Sequence, residues 1–165
     1  HMPSRRQRQM CIRDRLINTL RKPSERLNWI NNAMANAVKF GGTSLILDMT
    51  LPVIASPKFL SKMKDNALKY ENYLGLDDYN GVSKLMHGGF TTNWDFDWSK
   101  LDLPVLVLTG HFDKVFRIED DINNLIKNMK NVKRIEVPEC GHLIPIEDPE
   151  LFSYHLSGFI ISLKY

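Results

Sequence analysis

Two strand-length runs, Leu103-Pro-Val-Leu-Val-Leu108 and Val132-Lys-Arg-Ile-Glu-Val137, are separated by one helix-length stretch, and that order restricts the fold more than any other feature of the chain. The first run is continuously apolar and rich in Val and Leu, as expected of a strand buried on both faces. A helix from about Ile118 to Met129 fits between the runs, and parallel neighbours need a crossover of that kind. Asp148 can cap a last helix with Pro149 at its first position, a strong start signal. The tail therefore predicts strand–helix–strand–helix, a right-handed parallel crossover unit of the α/β class with one further helix. Two parallel strands cannot bury both faces alone, so further strands must come from elsewhere.

Upstream, the periodicity is helical. Ser24 is a plausible N-cap, and Leu27, Ile30, Ala33, Met34 and Val38 recur at helical spacing before Gly41-Gly42 interrupts them. Thr43 or Ser44 can cap a second apolar segment, Leu45 to Ile54, broken by Pro52. Ser56-Pro57 opens a third helix running towards Tyr73, and Asp77 can cap a fourth through Val82, Leu85 and Met86, stopped by Gly88-Gly89. The longest apolar stretches fall short of the ~20 residues that a spanning helix needs, so no membrane contact is expected.

The net charge of +3 is unevenly spread. Arg5, Arg6, Arg8, Arg13 and Arg15 against Asp14 put about +4 into the first 18 residues, leaving about −1 for the rest. A folded nucleic-acid binder shows its basic face on the domain itself, so no nucleic-acid partner is expected. His1-Met2 reads as an expression scar, and Arg6-Gln-Arg-Gln-Met-Cys-Ile-Arg-Asp-Arg15 resembles a translated sequencing adapter. The expected organisation is a disordered leader over 1–15, a helical region over 16–92 and the α/β portion over 93–165. Setting Cys11 aside with the leader leaves Cys140, which cannot make an internal bridge alone. A reducing, cytoplasmic compartment is therefore favoured.

The chemistry concentrates in two loops. The first strand ends in Gly110-His-Phe-Asp113, and the second leads into Val137-Pro-Glu-Cys-Gly-His142-Leu-Ile-Pro-Ile-Glu-Asp-Pro149. Adjacent parallel strands would present Asp113 and His142 on the same rim, where catalytic groups of open α/β sheets gather. An imidazole that activates a hydroxyl needs its second nitrogen held by a carboxylate. Taken singly, a loop aspartate capping the next helix and a histidine bonded to local backbone are ordinary features. The joint spacing favours an acid–base pair. His111 beside the acid, His87 at a helix end and His155 on the last helix show no metal-ligand spacing, so neither metal nor cofactor is expected. Cys140 reads as a small buried hydrophobe.

These two motifs resemble the acid and base of the α/β-hydrolases, which follow their nucleophile in chain order. Residues 16–165 look like the C-terminal part of that fold, a helical cap followed by the last two strands and helices. The spacing is most similar to a capped esterase, lactonase and peptidase-like branch. The resemblance implies a Ser-Asp-His attack on the carbonyl of a small ester, lactone or amide, with Asp113 and His142 as acid and base. Arg117 stands where many members carry proline after the acid, which bears on the loop's shape.

The nucleophile is harder to find. An elbow of the form Gly-x-Ser-x-Gly needs small residues on both sides of the serine. Ser44 has Gly42 before it but Ile46 after; Ser83 has Gly81 before but Leu85 after. Ser44 stays as a weak candidate, with helix capping its ordinary role, and the oxyanion-hole donor early in such chains has no counterpart. Trp29, Trp94, Phe96 and Trp98 could line an acyl pocket or simply pack in a core. The expectation is a serine hydrolase truncated before its nucleophile and inactive alone, its N-terminal half missing. The alternative is a non-catalytic half-domain that completes its sheet with a partner chain or a second copy, as a homo-oligomer.

Overall fold

The computed structural model describes residues 14–19, 22–91 and 96–162, side chains of 90 and 91 excepted. Its elements are β1 (Asp14–Ile17), α1 (Glu25–Ile54), α2 (Pro57–Met63), α3 (Gly81–Thr91), β2 (Val105–Gly110), α4 (Glu119–Ile126), β3 (Val132–Val137), α5 (Ile144–Glu147) and α6 (Pro149–Ser162). They fall into a sheet unit, which joins β1 to the chain from Asp97 onward, and a helical unit, Lys22–Phe96.

In the sheet unit β2 is central, with β1 and β3 parallel to it on either side. All six residues of β2 are buried, as its unbroken apolar pattern requires. Successive side chains of a strand point to opposite faces. Val105 and Val107 accordingly pack with Ile122, Leu125 and Met129, while Leu106 and Leu108 pack with Val137, Cys140, Ile144 and Phe159. β3 spans the residues expected of it. α6 starts as its sequence indicates, the Asp148 carboxylate accepting the Leu151 N–H at 2.9 Å.

β1 is a correction to the sequence reading, which took residues to 15 as a leader, put Leu16 and Ile17 in the helical region and left β2 with β3 as its one neighbour. Asp14 instead pairs with Val105 and Ile17 with Leu108. Leu16 and Ile17 alternate, packing against the clusters on opposite faces. Four residues beside a run of arginines are too few to display a period of two. Residues 1–13 lie outside the described residues.

In the helical unit, Ser24 caps α1, its hydroxyl accepting the Leu27 N–H at 3.2 Å. The Gly41-Gly42 pair ends one helical arm and a second arm follows at once, as the sequence reading has it, since Gly42 takes the non-helical φ 61°, ψ −155°. A Cβ on Gly42 would lie 2.2 Å from the Leu74 carbonyl oxygen, so the bend is also a close approach that side chains forbid. α1 is long and apolar enough on average to cross a membrane. The bend divides it into arms 25–41 and 43–54, each shorter than the ~20 residues of a span, and Val38, Ile46 and Leu51 are buried. Ser56 caps α2, which stops at Met63, well before Tyr73. α3 begins at Gly81 rather than next to Asp77, with the Asn80 side chain accepting the Val82 N–H at 2.9 Å, and runs past Gly88-Gly89.

Candidate active site

Gly110, the last residue of β2, sets the geometry. A Cβ there would lie 1.8 Å from the Gly141 carbonyl oxygen, so the end of β2 and the loop after β3 touch backbone to backbone. His111 N–H donates to the Val137 carbonyl and Phe112 N–H to the Cys140 carbonyl, both at 3.0 Å. The loops that carry Asp113 and His142 are thereby zipped together by backbone alone.

The expected pair meets within this frame. Asp113 is fully buried and its Oδ2 lies 2.6 Å from His142 Nδ1. A carboxylate only accepts, so the neutral imidazole carries its proton on Nδ1 and presents a lone pair on Nε2. The other oxygen, Oδ1, accepts the N–H groups of Val115 and Phe116 at 3.1 and 2.8 Å. A buried carboxylate needs such partners, and these orient it. Phe116 packs against the imidazole, ring centroids 4.7 Å apart and tilted 45°. The His142 side chain is 24% exposed, so the ring is held but not sealed.

Two buried side chains hold the histidine's backbone. Glu147 Oε2 accepts the Gly141 N–H at 2.9 Å and Oε1 the Leu143 N–H at 3.1 Å. Asn18 Nδ2 donates to the carbonyls of Gly141 and His142 at 3.1 and 2.7 Å, while its Oδ1 accepts the Gly110 N–H at 2.8 Å. Glu147 stands inside the motif already noted around His142, and its value as a signal was missed. Asn18 gave none, since nothing near it in sequence marks a strand end.

A ladder of charges runs along β3. Arg134 pairs with both oxygens of Glu119, the second at 2.9 Å, and donates to Thr109. Arg117 bridges Glu136 at 2.6 Å and Glu119 at 3.2 Å, tying the loop after β2 to β3. His111 is half-exposed and bonds Glu136 at 3.0 Å. The Arg134 hydrogen bond lowers the Glu119 pKa below its usual value, and the His111 hydrogen bond, with Arg117 behind it, lowers that of Glu136.

The other expected site residues are described within their own units. Ser44 lies within the helical unit inside α1, two residues past the bend, with no strand leading into it. Ser83 is buried in α3 and its hydroxyl has no hydrogen-bond partner among the described residues. Trp98 is partly buried and packs against the sheet unit's core cluster of Val105, Val107, Ile122, Leu125 and Met129. Trp29 is 80% exposed and Phe96 52%, which suits neither a pocket wall nor a core within their own unit. Trp94 lies outside the described residues.

Comparison with known proteins accords with this geometry. The chain is 33% identical over 87 residues to a Bacillus subtilis (strain 168) protein named provisionally as a 2-succinyl-6-hydroxy-2,4-cyclohexadiene-1-carboxylate synthase, a match covering 50% of this chain and 31% of that one. A thermophilic esterase from Thermogutta terrifontis superposes with a TM-score of 0.71 at 20% identity, covering 92% of this chain and 56% of the esterase. The enol-lactonase from Burkholderia xenovorans LB400 gives 0.68 at 16% identity, covering 90% and 56%. No family model matches. The chain has a partial α/β-hydrolase fold: the matches cover 92% and 90% of it, and it spans 56% of the length of each of these two solved structures.

Proposed function

We propose that the chain supplies the acid and base of a serine hydrolase that cleaves a carboxylic ester, lactone or amide without a cofactor. The observation that carries the reading is the 2.6 Å contact between buried Asp113 and His142 at the carboxyl ends of neighbouring parallel strands. In this scheme His142 Nε2 takes the proton of an attacking serine hydroxyl and later delivers it to the leaving group. Asp113 holds the ring in the required tautomer and stabilises the imidazolium that forms. The names of the esterase and the enol-lactonase support an acyl substrate. No serine of this chain has the flanking glycines of an elbow, so the nucleophile and the oxyanion donors come from a segment outside these 165 residues. A lost oxyanion donor alone removes ~2.7–4 kcal/mol of transition-state stabilisation, and the chain by itself is therefore inactive.

The test is complementation. The chain is coexpressed with any segment encoded upstream in the same reading frame, and hydrolysis of an activated ester is measured. Activity should arise with that segment and fall about 10⁴-fold in His142→Ala or Asp113→Asn. Activity that survives both substitutions excludes the proposed roles.

The outer edge of β1 favours a second reading, since it pairs with no strand among the described residues. A parallel sheet open at that edge invites completion by a partner chain or a second copy. Light scattering at micromolar concentration separates the two: a cooperatively unfolding monomer contradicts self-association.

A further inference from the structure

We infer that Asn18 is a positioning residue for His142, an inference that rests on the acid–base reading above. Asn18 is buried and takes φ 50°, a left-handed conformation that asparagine tolerates better than most residues. Its N–H donates to the Leu108 carbonyl at 2.9 Å, so the residue is registered against β2 by backbone before its side chain acts. The carboxamide then bonds both loops of the pair at once, accepting from Gly110 on the acid's strand and donating to the carbonyls of Gly141 and His142.

Four polar backbone groups surround His142 in this way: the N–H groups of Gly141 and Leu143 on Glu147, and the carbonyls of Gly141 and His142 on Asn18. Glu147 lies in α5, which follows His142 closely, and can move with it. Asn18 lies 124 residues away from His142 in sequence and also grips Gly110, three residues before the acid. It therefore sets the spacing between the base's backbone and the acid's. The task requires an acceptor and a two-proton donor on one short planar group, which a carboxamide provides. Aspartate, nearly identical in shape, would set an oxygen against two carbonyl oxygens.

The experiment follows the His142 Nδ1–H proton of the full chain by nitrogen-resolved NMR and measures its exchange with solvent. The amides of Leu106 and Leu108, buried in β2, serve as internal references. The unchanged chain should show a protected Nδ1–H signal that Asp113→Ala removes. Both Asn18→Gly, which keeps the backbone conformation, and Asn18→Asp, which keeps the shape, should speed its exchange about tenfold relative to the references. Asn18→Asp should do so the more. Unchanged exchange, or equal acceleration of the reference amides, overturns the inference, because Asn18 would then be a merely structural residue. Failure of both variants to fold overturns it as well, since a clamp confined to these loops leaves the sheet standing. Absence of the signal in the unchanged chain contradicts the Asp113–His142 pair itself, and the inference falls with it.

Discussion

The two units of this molecule solve the burial problem differently. In the sheet unit every residue of β2 is buried, and the loops at its end are held by the side chains of Asn18, just past β1, of Glu147 in α5 and of Asp113. In the helical unit Trp29, Phe40, Leu68, Tyr70, Leu74, Tyr79 and Leu85 are each more than two-thirds exposed. A parallel strand must bury both faces, so its sequence and neighbours are tightly constrained, whereas a helix needs one stripe. The difference teaches that structural determination is concentrated where Asp113 and His142 meet.

Mutations sharpen the contrast. Gly110→Ala should have the largest effect, about 4 kcal/mol or more, because its Cβ meets a backbone oxygen that the zipped loops cannot move. Denaturant unfolding would measure it, and a loss below about 1 kcal/mol would show that the loops separate easily. Leu108→Ala, in the buried strand, should cost about 3 kcal/mol. Phe40→Ala, 79% exposed in α1, should stay within about 0.5 kcal/mol. Similar losses for these two would break the comparison, showing the exposed face of the helical unit to be covered in solution.

Gly81→Ala should stabilise the helical unit by about 0.5 kcal/mol, since the added methyl meets open space at the start of α3. The smallest effect is electrostatic. Glu119 and Glu136 have pKa values lowered below the usual 4.5 by their partners. Their stabilisation is therefore present above about pH 4.5 and is lost as pH falls through the lowered folded values. Both are partly exposed, so Glu119→Gln should cost under ~1 kcal/mol at neutral pH. It should also flatten the acid limb of a plot of Tm against pH. An unchanged limb would mean that the charge ladder does not couple to folding.

The sequence disclosed these regions unequally. β2, β3 and the caps at Ser24, Ser56 and Asp148 were legible because burial on two faces and N-cap chemistry leave local marks. Asp113 and His142 were legible through loop spacing, and their contact follows from parallel neighbours ending on one rim. β1 and Asn18 were not, because four residues carry no period and their partners lie about ninety residues and more away. The break at Gly42 was legible as a stop from the glycine pair, but its sharp angle was not, since that depends on the approach of Leu74. Trp98 could not be assigned from its loop, because its packing against the core cluster depends on the strand that follows it.

The most direct test of the central claim, that this chain provides an acid and a base but no nucleophile, is mass-mapped labelling of the purified chain with a fluorophosphonate probe. The account predicts that no serine is labelled, and that hydrolysis of an activated ester is no faster than in His142→Ala. Stoichiometric labelling of Ser44, abolished in His142→Ala, would contradict it and show that the chain assembles a complete triad from a serine inside α1.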